Sequence, residues 1–256
     1  MRFKPTLMAA MFGLAVGASH AATLNEVSYA SLVGTTLSFS ELVVAEGDEQ
    51  LVNGLFTSHG VQFGERFDGQ ELAVAKAPRP GAVAQDWFDD LSFGAPTAGL
   101  TLLAGVAGAN LGAYNYADAN GVALAGIGPQ NSDGTDPFGL GAISARFASP
   151  VSALGLQLRE SDGGAITLAL YRLDGSLIQA VDLSGRSDGF YAFSRGDGSA
   201  DIAGFTLTHR DSYYGIAIDN LLLAAPVPEP ASLALLAAGL GFGLVARRRL
   251  QSNKSF

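Results

Sequence analysis

Short apolar runs, some alternating with polar residues and some continuous, are broken by Gly, Asp, Asn and Pro along most of this chain. That pattern predicts strands, because successive side chains on a strand face opposite sides and a turn residue ends each run. Strands are expected over 36–44, 61–67, 72–76, 100–103, 142–148, 151–159, 165–173, 176–183, 189–195, 202–208 and 215–223. Ile166, Leu168 and Leu170 alternate with Thr167, Ala169 and Tyr171, and Asp174-Gly175 then turns the chain into Leu177 and Ile178, the strongest hairpin signal. Pro150, between Phe147 and Val151, lacks an N–H and so marks a sheet edge or a bend. No amphipathic helix of ten or more residues is legible. The fold class is therefore all-β, an antiparallel β-sandwich of jelly-roll type. Residues 104–141, rich in Gly, Asn and Ala without a period, are expected to form long loops holding one or two strands, a place where binding surfaces often sit.

The two ends follow other patterns. Arg2 and Lys4 precede an apolar run from Leu7 to Val16, and Ser19-His20-Ala21 is a small-x-small cleavage site, so residues 1–21 are expected to be a secretory signal peptide. At the other end, Val227-Pro228-Glu229-Pro230 leads into sixteen uncharged residues, Ala231 to Ala246, and then Arg247-Arg248-Arg249. An uncharged run of Ala, Leu, Gly, Phe and Val partitions into hydrocarbon, and the arginines behind it hold their end on the cytoplasmic side. As a transmembrane helix it would be about 24 Å long against a hydrocarbon core of roughly 30 Å, short for a permanent anchor. Pro228 and Pro230 keep the segment before it extended, where a protease can grip it at Glu229. The expected organisation is a signal peptide at 1–21, a β-sandwich domain at 22–225 and a sorting segment at 226–251.

Charge and cysteine content narrow the chemistry. Nine basic and twenty-four acidic residues lie between the signal peptide and the apolar tail, a net charge of −15. Such a field repels phosphate backbones, so nucleic acid is excluded as a partner. The chain has no cysteine, which excludes disulfides, thiolate zinc sites and thiol nucleophiles. Beyond the signal peptide only His59 and His209 remain, neither in a flanking catalytic pattern, and no Gly-x-Ser-x-Gly elbow is present.

Pro228-Glu229-Pro230, the small-residue apolar span and Arg247, Arg248 and Arg249 together resemble the PEP-CTERM sorting signal. The resemblance implies export across the inner membrane of a Gram-negative bacterium. It further implies transient residence there through the C-terminal helix, removal of the tail by a membrane exosortase, and a link to exopolysaccharide. The same three features in a plain single-pass anchor are the alternative. Within the body, Val61-Gln62-Phe63, Arg146 to Val151, Tyr171 to Gly175 and Gly215 to Leu221 look like landmarks of exported PEP-CTERM β-domains. The last of these is also similar to the final strand of galactose-binding-like and MAM-type jelly rolls, which implies carbohydrate or protein binding and, in some members, a structural calcium.

Asp219 interrupts the apolar series Ile216, Ile218, Leu221 and Leu223, and a carboxylate beside a core needs a cation or several donors. One solution is a structural Ca2+ shared with early acidic residues, Glu41 and Asp48 or Glu46. The other is that Asp219 and Asn220 cap a bulge by bonding nearby backbone N–H groups. Asp86-Trp87-Phe88-Asp89 sets the only tryptophan among carboxylates, so Trp87, Asp86 and Asp89 are a candidate ligand-binding set for a sugar ring, against core packing as the plainer alternative. Asn131 to Asp136 and Arg195-Gly196-Asp197 read as turns. No catalytic residues emerge. The expected function is that of a non-enzymatic, exported cell-surface or extracellular-matrix protein, associated with exopolysaccharide and glycan-binding. A glycan-active enzyme and a purely structural envelope component are the alternatives.

Overall fold

The computed structural model describes residues 23–78, 85–118, 121–129, 137–210 and 215–224. The expected signal peptide and the whole C-terminal segment, with its expected transmembrane helix, lie outside the described residues. Within the described residues the strands are β1 (Leu24–Val27), β2 (Thr35–Leu37), β3 (Glu49–Val52), β4 (Phe56–Ser58), β5 (Val61–Gly64), β6 (Arg66–Phe67), β7 (Glu71–Pro78), β8 (Gln85–Phe93), β9 (Leu102–Leu103) and β10 (Leu111–Asn115). They continue with β11 (Val122–Ile127), β12 (Phe138–Gly141), β13 (Ile143–Val151), β14 (Ala153–Asp162), β15 (Ala165–Tyr171), β16 (Leu177–Asp182), β17 (Ser187–Arg195), β18 (Ile202–Arg210) and β19 (Ala217–Ala224). Among the described residues the helical content is one 3-10 turn, Tyr29–Ser31, and no helix there is long and apolar enough to cross a membrane.

Two antiparallel sheets form a sandwich. The larger runs β1-β17-β14-β19-β11-β10-β3, with β2 joined to β19 and β12 to β11; the smaller runs β16-β15-β18-β13-β5-β4. Alternation explains the layering: Leu154, Leu156 and Leu158 of β14 meet Ile166, Leu168 and Leu170 of β15 in one core. Phe39, Phe63, Phe147 and Phe205 are fully or almost fully buried there, each worth about 1.5–3 kcal/mol of hydrophobic stabilisation. Two ribbons, β6–β9 and β7–β8, are separate from these sheets, and β8 packs on β18 and β12.

The Asp174-Gly175 hairpin forms as expected, joining β15 to β16, with Gly175 at φ +86° and the Arg172 N–H donating to the Ser176 carbonyl at 2.9 Å. Pro150 falls inside β13 where the pairing with β18 slips between Arg146 and Val151, a bulge that tolerates its missing N–H.

Two expectations need correction. The strand expected at 36–44 ends at Leu37: Phe39 adopts φ +53°, turning its ring into the core 5.4 Å from that of Phe63. Residues 104–141 hold β10, β11 and β12, with β11 deep inside the large sheet. Both faces of β11 are covered, so Val122-Ala123-Leu124-Ala125-Gly126-Ile127 shows no polar alternation to betray it. Glycine there is a packing requirement: a Cβ on Gly112 would meet the Phe138 ring, and one on Gly126 would meet the Gly141 backbone.

Candidate functional site

On the last strand, Ile218 and Leu221 point into the core and the residues between them must absorb one extra position. Asp219 pairs with Gln157 and Leu222 with Gly155, so Asn220 and Leu221 face Leu156 alone: a bulge. Asn220 takes φ +46°, a left-handed conformation that Asn tolerates better than most residues. Asp219 is fully buried on the outward side of the sheet. Its Oδ1 accepts the Asn220 backbone N–H at 2.6 Å. The Asn220 amide nitrogen donates to Asp219 Oδ2 at 3.2 Å and to Gln157 Oε1 at 2.8 Å. Burial pushes the Asp219 carboxyl up to about 6, opposed by the Asn220 N–H and by the charge of Arg159. The bulge-capping geometry weighed for Asp219 and Asn220 is thus present.

Two strand positions along, Arg159 faces outward beside Ala217 and is buried. Its Nη2 donates to Asp118 Oδ2 at 2.7 Å, and its guanidinium carbon lies 4.1 Å from the centre of the Tyr116 ring. A planar, always-charged group held between a carboxylate and an aromatic face is a fixed point on this surface. Tyr116 packs edge-on to Tyr114 at 4.6 Å, and Tyr114 to Phe138 at 6.4 Å. Burial pushes the Tyr116 hydroxyl well above its usual range. On the other side of the bulge, Tyr29 packs against Phe190 at 4.8 Å and donates its hydroxyl to the Asn220 carbonyl at 2.6 Å. The outer face of the large sheet therefore carries a polar row, Gln157, Arg159, Asp219 and Asn220, flanked by aromatic rings. Of these rings, Tyr29, Tyr114 and Tyr116 are half-buried and Phe190 is 50% exposed.

Glu41 and Asp48 are exposed in the segment between β2 and β3, where the Gly47 N–H donates to the Asn115 carbonyl at 2.9 Å. Among the described residues no group of three or more His, Asp or Glu side chains is placed to hold a metal ion.

A second polar cluster lies under the β7–β8 ribbon. Trp87 and Asp86 are on β8, paired with Lys76 and Ala77. Asp89, opposite Val74, is buried. Its carboxyl is pushed up to about 7 by burial and then by the Glu65 charge, with Arg66 and a hydrogen bond from the Ala142 backbone opposing. Glu65 is itself buried, raised by desolvation, and ion-paired to Arg66. Nearby, Ser144 Oγ donates to the Glu65 carbonyl at 3.1 Å and lies 2.9 Å from Thr206 Oγ1. Gln70 extends the network, accepting from Thr206 Oγ1 at 3.3 Å and donating to the Tyr171 hydroxyl at 3.0 Å. Burial and the neighbouring Glu65 charge thus both favour the protonated Asp89, beside a buried hydrogen-bond network of Ser144, Thr206, Gln70 and Tyr171.

Arg195-Gly196-Asp197 behaves as turn chemistry: Asp197 Oδ1 accepts the Ser199 N–H at 3.0 Å, and Arg195 is ion-paired to Asp201 at 2.8 Å. The acidic loop from Asn131 to Asp136 lies outside the described residues, as do Pro228, Glu229, Pro230, Arg247, Arg248 and Arg249. Arg159, Tyr116 and Tyr29 went unseen in the sequence. Their partners are up to 191 positions away, and their only local signal is a charge or a ring on an otherwise apolar strand or turn.

The C-terminal segment is the part with a known counterpart: residues 226–249 match the PEP-CTERM protein-sorting motif. That motif is an export and sorting signal processed by an exosortase. No curated protein and no solved structure matches the chain.

Proposed function

We propose that this chain is an exported, non-enzymatic protein of the cell surface or extracellular matrix, released from its C-terminal tail by an exosortase and associated with exopolysaccharide. The observation that carries the reading is the sorting motif at 226–249, which begins two residues after β19 ends. The motif thus follows directly on the last strand of the sandwich. In this reading the sandwich is a jelly roll.

The ligand is a glycan, received on the outer face of the large sheet. The support is chemical. Aromatic rings at Tyr29, Tyr114, Tyr116 and Phe190 offer flat apolar faces to sugar rings, and the Asp118 carboxylate, exposed at one side of its arginine partner, can accept from hydroxyls. The alternative, a glycan-active enzyme, draws its only support from the raised Asp89 carboxyl beside Glu65.

Deleting residues 228–256 tests the sorting reading: the truncated chain is expected in the medium or periplasm, and its retention at the surface like the full chain would refute the reading. Binding of the purified domain to a glycan array, lost in Tyr116→Ala, tests the ligand. Turnover of a polysaccharide by the same domain would favour the enzyme.

A further inference from the structure

The first and the last described residues lie at the same end of the sandwich. The Thr23 carbonyl accepts the N–H of Gly196, just past β17, at 2.9 Å; the N–H of Arg195, the last residue of β17, donates to the Ser152 carbonyl at 2.9 Å; and the Ser152 N–H donates to the Ala224 carbonyl at 3.1 Å. This row crosses β1, β17, β14 and β19 in order, so entry and exit are three strand spacings apart, about 15 Å. The smaller sheet shares the end: Val151 turns through Ser152 into β14, Ile202 pairs with Val151, and Tyr171 pairs with Gly204, which sets the Asp174-Gly175 turn beside them. At the opposite end lie Asp162 of β14 and the Ala165–Arg210 pair of β15 and β18.

Three of the exposed large apolar side chains belong to the end that carries the exits. They are Val33, 81% exposed and two residues before the Thr35–Leu223 pair, and Leu173 and Leu177 flanking the hairpin turn. Its arginines, Arg172 and Arg195, share one partner, Asp201, while Asp174 and Asp197 remain as exposed carboxylates. Between Ala224 and the first residue of the apolar span, Ala231, stand six residues, enough to reach roughly 25 Å when fully extended.

We propose that, until its tail is removed, the sandwich stands end-on against the lipid surface, with Val33, Leu173 and Leu177 toward the phospholipid headgroups and the Ala165–Arg210 end outward. This rests on reading residues 231–246 as a membrane-embedded segment. The short tether fixes which end is near. The net charge of −15 between signal peptide and tail opposes close contact of any face with anionic lipid, so the tether and the apolar side chains alone hold this end near, and the aromatic outer face of the large sheet is left upright and open to solvent.

Because the chain has no cysteine, a single introduced thiol carries the only label. Full-length Val33→Cys and Ala165→Cys, both at exposed positions, are each labelled with a fluorophore and reconstituted into phosphatidylethanolamine–phosphatidylglycerol vesicles bearing nitroxide on a fraction of headgroups. The label at position 33 is expected to be quenched several-fold more strongly than the label at 165. Equal quenching, or stronger quenching at 165, in chains that float with the vesicles overturns the orientation alone. Failure of the chains to float overturns the membrane-embedded reading of the tail, and the orientation with it.

Discussion

Tyr29, in the 3-10 turn after β1, donates its hydroxyl at 2.6 Å to the carbonyl of Asn220, the left-handed residue of the bulge in the last strand. The bond ties the start of the fold to its end, and it satisfies a carbonyl that the bulge takes out of the β14–β19 ladder. Replacing Tyr29 with Phe keeps the ring against Phe190 and removes only the hydroxyl. We expect a loss of about 1 kcal/mol, measured by urea unfolding. An unchanged midpoint would mean that water replaces the hydroxyl without cost.

Acid stability is expected to follow three buried groups. The carboxyls of Asp89 and Asp219 are raised by burial from 3.8 to about 7 and about 6. In the folded chain they bind protons more tightly than in the unfolded one, so their contribution is full below about pH 4 and is lost as pH rises through 6 and 7. His209, fully buried, is pushed down from 6.5 to about 4 by desolvation, so its contribution is full above 6.5 and is lost as pH falls toward 4. Asp89→Asn keeps an acceptor for the Ala142 N–H and removes one opposing term. Its melting temperature is expected to exceed that of the parent by a few degrees at pH 8, by less at pH 5, and to converge with it below about pH 4. A gap independent of pH would show that Asp89 does not titrate in this window.

Glycine at 126 is expected to be irreplaceable by even one methyl, because the backbone of Gly141, at the end of β12, and of Ala142 after it occupies the place of its Cβ. Gly126→Ala should cost about 1–3 kcal/mol or prevent folding. Gly121→Ala, whose Cβ meets nothing within 4 Å but whose φ is +72°, should cost about 1 kcal/mol through the backbone alone. Equal losses in the two variants would deny the close approach of β11 and β12.

Chelation separates the two readings of Asp219. Both its oxygens accept from Asn220, so adding a chelator to the purified domain is expected to leave the melting temperature unchanged. A rise with added calcium that disappears in Asp219→Asn would place a cation at the bulge.

Legibility in the sequence tracks burial geometry. Strands β13 to β18 were readable because each has a recognisable apolar run and a turn residue at its end, as Ile166, Leu168 and Leu170 show before Asp174-Gly175. β11 was not: its outward positions are Ala123 and Ala125, packed under Tyr116 and Phe138, and small residues buried on both sides look like loop composition. β1 and β3 hide for the opposite reason, as edge strands whose Glu26, Glu49 and Gln50 are exposed. Asp219 stood out because it breaks an apolar series. The groups around it did not, since Gln157, Arg159, Tyr29 and Tyr116 are assembled by strand order, which no local pattern encodes.

The place of β19 has a consequence for the timing of folding. It lies inside the large sheet, with β14 along one side and β11 and β2 along the other, and gives Ile216, Ile218 and Leu221 of its own segment to the core. Until that strand arrives, β14 has an unpaired edge and neither β2 nor β11 has the neighbour that joins it to the rest of the sheet. A chain delivered amino end first therefore cannot complete its large sheet until its last strand has crossed. The order of the strands thus makes the last segment to arrive the one that joins the halves of the large sheet.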